Sequence, residues 1–243
     1  MIHVQGLSKS FGKVQAVQNV SFVALNGEIT GLLGPNGAGK STTLRMLYTL
    51  LKPVSGVAIV DGFDITRDPL EVQRRIGVLA DARGLYERLT TRENIRYYGR
   101  LHGLEGAPLE SQIEKLLALL DMHDIADRKT AGFSTGEKLK VAIARALVHN
   151  PPNVLLDEPT NGLDVMSTRA MRQFILRLRD EGKCVLFTSH VMQEVAALCD
   201  RIVIISKGVV SATGSPDELR NQTGHDNLED AFVAAIGSEE GLA

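Results

Sequence analysis

Apolar positions along this chain come in short blocks whose spacing changes character twice. Ile2–Val4 and Val20–Ala24 alternate or cluster like β-strands, Glu28–Leu33 is an apolar run of strand length, and Val57–Val60 followed by Asp61-Gly62 has the form of a strand entering a hairpin. Leu70–Arg75 predicts a short helix and Ile76–Leu79 a brief strand. From Thr91 the period lengthens: Asn94–His102, Leu109–Leu120 and Lys138–Leu147 carry helical spacing punctuated by Gly and Pro, which predicts a helical insert. After Pro151-Pro152 the pattern alternates again, with strands expected at Asn153–Leu156, Cys184–Thr188 and Arg201–Ile205 and helices at Ser167–Arg179 and Met192–Leu198. Continuous apolar strands alternating with helices predict a parallel sheet covered on both faces. Lys207-Gly208 between two β-branched runs predicts a closing hairpin. The organisation expected is an α/β core over residues 1–83 and 151–215 with an antiparallel β part at its N-terminal end, a helical insert over 84–150, and a short helical tail over 216–243.

At 243 residues and 44% hydrophobic content the chain is long enough for one large domain with an insert. Its formal charge of -2 gives no basic footprint, so nucleic acid is not an expected partner. Cys184 and Cys199 are spaced unlike a metal pair and read as buried or half-buried thiols in a reducing compartment. No stretch approaches the roughly 18 continuous apolar residues of a membrane span, and the N-terminus lacks a signal-peptide layout. The expected location is the cytoplasm, and any membrane process would need spans supplied by another polypeptide.

Candidate chemistry is concentrated at Gly34-Pro35-Asn36-Gly37-Ala38-Gly39-Lys40-Ser41, a Gly-x-x-x-x-Gly-Lys-Ser phosphate loop lying between a predicted strand and a helix that opens with Thr42. Glycines let the backbone N–H groups curl around a triphosphate, and the helix adds its positive end. Lys40 is expected to reach the β/γ-phosphates and the Ser41 hydroxyl to ligate Mg²⁺, so Mg²⁺-chelated nucleotide is the expected ligand. The strand Val154–Leu156 runs into Asp157-Glu158 at the same sheet edge, which would put Asp157 near Mg²⁺ and Glu158 where it could activate an attacking water. His190, closing Thr188-Ser189-His190 one strand on, could contact the γ-phosphate and align that water. His3, His102, His123, His149 and His225 lack such a setting and read as surface or capping residues.

Phe133-Ser134-Thr135-Gly136-Glu137 has two readings. Ser134 and Glu137 make a capping box for the helix that follows, worth about 1 kcal/mol. Alternatively, Ser134, Gly136 and the exposed N–H groups of that helix form a second phosphate cradle, which an insert projecting away from the phosphate loop could offer only to another molecule.

Together, Gly34–Ser41, Phe133–Glu137, Asp157-Glu158, Asn161–Asp164 and His190 stand in the order of an ATP-binding cassette of ABC transporters, a resemblance that covers roughly residues 2 to 215. It implies a P-loop NTPase with a RecA-like core, hydrolysis of ATP with Glu158, His190 and Lys40 as catalytic residues, and a head-to-tail homodimer. In that dimer each ATP is held between one chain's phosphate loop and its partner's Ser134 and Gly136. The resemblance further implies adenine stacking by Phe11, which by pattern alone is an apolar turn residue, coupling across the interface by Asp164, and a membrane-spanning permease that holds the chain at the cytoplasmic face of the inner (plasma) membrane. Two features depart from the family. The signature reads Phe-Ser-Thr-Gly-Glu rather than Leu-Ser-Gly-Gly-Gln, and Asp81 stands where a glutamine usually ligates Mg²⁺. Arg83–Tyr86, the signature and Gly162–Arg169 look most like cassettes of bacterial exporters of the sodium-extruding Nat type, while drug, lipid or polysaccharide export and, less so, a non-transport cassette acting on nucleic acid remain alternatives.

Overall fold

The computed structural model describes residues 1–80 and 84–237. Asp81 therefore lies outside the described residues.

Strands β1 (Ile2–Phe11), β2 (Val14–Ala24), β4 (Ser55–Val60) and β5 (Phe63–Asp64) make a four-stranded antiparallel sheet in the order β2-β1-β4-β5. Ile2 and Val4 are buried while His3 and Gln5 face solvent, the period of two that a half-buried strand requires. β1 and β2 run beyond the strands predicted from Ile2–Val4 and Val20–Ala24. Their outer halves are polar and carry register shifts between Val4 and Leu7 and again up to Ser10, which hides the alternation.

The second sheet has the order β10-β9-β3-β8-β7-β6, built from β3 (Ile29–Leu33), β6 (Ile76–Leu79), β7 (Asn153–Asp157), β8 (Cys184–Ser189), β9 (Arg201–Ser206) and β10 (Val209–Gly214). Five strands are parallel, and β10 closes the edge antiparallel to β9 through the Lys207-Gly208 turn. Every residue of β3, β7 and β8 is buried, because both faces are covered. Leu32, Leu155, Leu186 and Val203 point to a cluster shared with Ile2, Leu7 and Val20 of the antiparallel sheet and with Leu44 and Leu47 of helix α1 (Lys40–Leu47). Ile29, Leu33, Val154, Leu156 and Phe187 point the other way, onto a cluster with the remaining helical layer.

That layer holds α3 (Thr91–Leu101), α4 (Gly106–Leu119), α5 (Thr135–Leu147), α6 (Val165–Asp180), α7 (Met192–Leu198), α8 (Pro216–Thr223) and α9 (Leu228–Ile236), while α2 (Pro69–Arg75) leads into β6. Both α3 and α5 start on full capping boxes, Thr90 with Glu93 and Ser134 with Glu137. Leu219, Leu228 and Ala231 carry the two C-terminal helices into the same core. Cys184 and Cys199 are unbridged and buried, and burial pushes both thiols up, that of Cys184 to about 11. Among the described residues no helix is long and apolar enough to cross a membrane.

Of the histidines read as surface or capping residues, His102 does cap a helix, whereas His149 is half-buried against it. His102, the C-cap of α3, and His149 stack with ring centroids 3.6 Å apart and planes 4° apart. The His149 Nε2 lies 3.1 Å from the Ile76 carbonyl, which fits an Nε2–H donor, and its Nδ1 is buried with no partner among the described residues. Burial pushes His149 down to about 4, helped by the neighbouring His102. The ordinary value is 6.5, so between pH 6.5 and 4 the unfolded chain takes up a proton that the folded chain refuses. Stability from this site is therefore fully present above pH 6.5 and is lost on acidification, by about 3 kcal/mol at the most. Urea midpoints should fall more between pH 7.5 and 5 for the wild type than for His149→Phe, which keeps an aromatic ring but cannot titrate. Parallel pH dependences would refute this assignment.

Candidate functional site

The site is assembled at the C-terminal ends of β3, β7 and β8. The loop after β3 reaches α1 through Gly39, whose φ of 105° is left-handed and where a Cβ would lie 2.5 Å from the Ala16 carbonyl oxygen. At Gly34 a Cβ would meet the Ile205 carbonyl oxygen at 2.1 Å, so glycine alone lets the loop start against β9. Ala38 N–H bonds to the Pro35 carbonyl at 3.2 Å and the Ala38 carbonyl accepts from Gly208 N–H at 3.0 Å, which pins the loop from both sides.

A cavity of about 460 Å³ opens over this loop, lined by Asn36, Gly37, Ala38, Gly39, Lys40, Ser41 and Thr42 together with Ala16, Glu158, Asn161 and His190. Lys40 is 5% exposed, and its Nζ donates to the carbonyls of Gly34 (2.7 Å) and Pro35 (3.1 Å) and stands 3.5 Å from Glu158 Oε1. The Ser41 hydroxyl donates to Asp157 Oδ1 at 2.9 Å. His190 Nδ1 lies 3.0 Å from Glu158 Oε2. The structure thus brings Lys40, Ser41, Asp157, Glu158 and His190, five residues spread over the chain, into one set of contacts. A hydroxyl and a carboxylate converging from α1 and β7 form an all-oxygen pair that suits a hard divalent cation such as Mg²⁺. A buried ammonium above a glycine loop at a helix N-terminus suits a polyphosphate.

Sequence reasoning missed Thr188. Its fully buried hydroxyl accepts from Glu158 N–H at 2.9 Å and donates to Asp157 Oδ1 at 2.7 Å, so it links the two acids. That link helps hold Glu158 at a φ of 48°, a left-handed conformation that turns its carboxylate into the cavity. A hydroxyl residue that ends the apolar run of β8, two positions before His190, was the available signal.

The other predicted residues lie elsewhere. Phe11 is 48% exposed at the end of β1 with Lys9 Nζ 5.5 Å from its ring centroid, on the hairpin whose second strand brings Ala16 to the cavity. Ser134 is exposed as the N-cap of α5, where its hydroxyl accepts from Glu137 N–H at 3.2 Å while Glu137 Oε2 accepts from Ser134 N–H at 2.8 Å. Those bonds hold the Glu137 carboxyl below its ordinary range. Gly136 sits one residue from Glu137, and a Cβ there would lie 3.5 Å from the Ser167 hydroxyl. Asp164 is the exposed N-cap of α6; hydrogen bonds from Ser167 N–H (2.8 Å) and its hydroxyl (3.0 Å) hold its carboxyl low. Neither the signature nor Asp164 is among the residues lining the phosphate-loop cavity.

Residues 17–161 match the family model described as ABC transporter. The chain is 46% identical over 224 residues to the ABC transporter ATP-binding protein NatA of Bacillus subtilis, covering 92% of this chain and 91% of that protein, which supports the Nat-type resemblance. It is 35% identical over 246 residues to the linearmycin resistance ATP-binding protein LnrL of the same organism, covering 98% and 79%. Among solved structures, a dimeric ATP-binding cassette in a post-hydrolysis state bound to ADP and Pi superposes with a TM-score of 0.80 at 27% identity, over 88% of this chain and 98% of that one. The chain belongs to the ABC transporter family, as an ATP-binding subunit that hydrolyses ATP.

Proposed function

We propose that two copies of this chain clasp two ATP molecules at the cytoplasmic face of the plasma membrane and drive export, with sodium as the cargo, through a separate membrane-spanning permease. The observation that carries the catalytic part is the convergence of Lys40, Ser41, Glu158 and His190 on one cavity, with Asp157 behind it accepting from the Ser41 hydroxyl. The loop Gly34–Thr42 binds the phosphates, chiefly through the backbone N–H groups of Gly37 and Gly39–Thr42, with Lys40 against the β/γ-phosphates. Ser41 and Asp157 would hold Mg²⁺, which when bound neutralises phosphate charge; Asp81 is a further candidate ligand. Glu158 takes the proton of the attacking water, and His190, in contact with Glu158, orients both water and γ-phosphate. Phe11 stacks on adenine. The other half of each pocket comes from Ser134 and Gly136 of the second copy, with Asp164 at the crossing between the two sites. This pairing is supported by the exposure of Ser134, by the absence of Ser134 and Gly136 from the lining of the chain's own phosphate-loop cavity, and by the dimeric relative with ADP and Pi.

For the cargo, similarity to NatA and the Nat-like strings favour sodium, whereas similarity to LnrL favours a drug. Inverted vesicles carrying the chain together with a candidate membrane-spanning permease decide between them. Sodium efflux predicts ATP-dependent uptake of radioactive sodium that Glu158→Gln abolishes. ATP turnover without sodium uptake would assign the chain to another cargo.

A further inference from the structure

Beyond Asp157 and Ser189 the ends of β7 and β8 lead into two separate segments, Glu158–Asp164 and His190-Val191. A buried carboxylate joins them. Glu194, in the first turn of α7, is 7% exposed, and its Oε2 accepts from the Thr160 hydroxyl and, at 3.4 Å, from the Ser189 hydroxyl. Ser189 Oγ in turn accepts from Val191 N–H at 2.9 Å, so the residues on both sides of His190 belong to this network. On the other side, Thr160 is two residues past Glu158, and its carbonyl accepts from Leu163 N–H at 3.1 Å within a turn whose first carbonyl, that of Glu158, accepts from Asn161 N–H at 3.1 Å.

Glu194 is itself rigidly placed, since its neighbours Val195 and Leu198 are 0% and 4% exposed in the core. Burying a carboxylate satisfied by hydroxyls costs desolvation that an apolar side chain at the same position would not incur. The geometry this arrangement fixes is the register between the Glu158 segment and the His190 segment, and hence the 3.0 Å contact between those two side chains.

We infer that Glu194 is a positioning residue for ATP hydrolysis: through Thr160 and Ser189 it locks the loop carrying Glu158 and Asp164 to the strand end carrying His190. The inference rests on the proposed roles of Glu158 and His190, and it adds that these are kept in register from outside the cavity. In the purified full chain, Thr160→Val should lower kcat by about ten- to a hundredfold while KM for ATP stays within about twofold, because the phosphate loop is untouched. Thr160→Ser, which keeps the hydroxyl, should restore kcat. Glu194→Ala should be slow as well, and the Glu194→Ala/Thr160→Val double variant should be no slower than the slower single variant, since both break one link.

A Thr160→Ser variant as slow as Thr160→Val would trace the loss to packing and overturn the inference, as would single-variant losses that multiply in the double variant. Melting temperatures of Thr160→Val and wild type should agree closely, and a kcat loss that only follows unfolding also counts against it. Normal turnover in Thr160→Val beside an inactive Glu158→Gln overturns this inference alone. Normal turnover in Glu158→Gln overturns the underlying reading and this inference with it.

Discussion

Glu158→Gln should lower steady-state ATP turnover by about 10²- to 10⁴-fold, the usual contribution of a general base, while leaving nucleotide binding intact. Glutamine keeps the size and an acceptor oxygen but cannot take a proton. Glu158 is 15% exposed at the cavity wall, its backbone N–H is fixed by Thr188 and its carboxylate faces both Lys40 and His190, so the substitution removes basicity from a group already held in place. Removing the negative charge 3.5 Å from Lys40 also leaves that ammonium with less competition for phosphate, so ATP should bind at least as tightly. In the proposed head-to-tail pair, blocked hydrolysis would keep the nucleotide in place, so the variant should run as a dimer in ATP where the wild type reverts to single chains. Phosphate release and light scattering behind size exclusion read the two effects. Turnover within a few-fold of wild type would remove Glu158 from its role.

How far the sequence speaks for the structure depends on the range of the interaction concerned. The phosphate loop is legible because its residue types stand at a fixed spacing within eight consecutive positions. The backbone atoms that exclude a Cβ at Gly34 and Gly39 belong to Ile205 and Ala16, which only the fold brings there. The parallel strands are equally plain, since burial on both faces turns β3, β7 and β8 into uninterrupted apolar runs. Helix starts are less so. For α5 the capping box of Ser134 and Glu137 marks the start at Thr135 although hydrophobic spacing begins only at Lys138, whereas α6, placed from Ser167 by its spacing, begins at Val165 because Asp164 caps a turn that precedes the first core residue. Least legible are contacts between elements far apart in sequence: Thr160 with Glu194, Thr188 with the paired acids, and His102 with His149 each need the folded chain to bring them together. Single polar residues in such pairs have no period and no motif. Burial then converts them from bland positions into groups whose partners matter.

The second large effect concerns the composite pocket. Lys40→Ala and Gly136→Asp should each reduce turnover of the pure variant by about a hundredfold or more, the first by removing the buried cation, the second by placing a carboxylate where the proposed pairing puts the partner's γ-phosphate. Mixed together before ATP is added, the two dead variants should regain activity. In a mixed pair one pocket receives both substitutions, the altered phosphate loop of one chain facing the altered signature of the other, and stays dead. The second pocket combines an intact Lys40 with an intact Gly136. With random pairing half of the dimers are mixed and each has one working pocket of two, so about a quarter of wild-type turnover is the expectation for independent pockets of a symmetric dimer. The fold favours this outcome, because Ser134 and Thr135 are exposed, Gly136 is half-exposed, and no signature residue lines the cavity above the chain's own phosphate loop. If each chain instead carried a complete site, the mixture would be as inactive as its components. Titrating one variant into the other while following phosphate release therefore tests whether fuel is burnt within a chain or between chains, without requiring the permease or knowledge of its cargo.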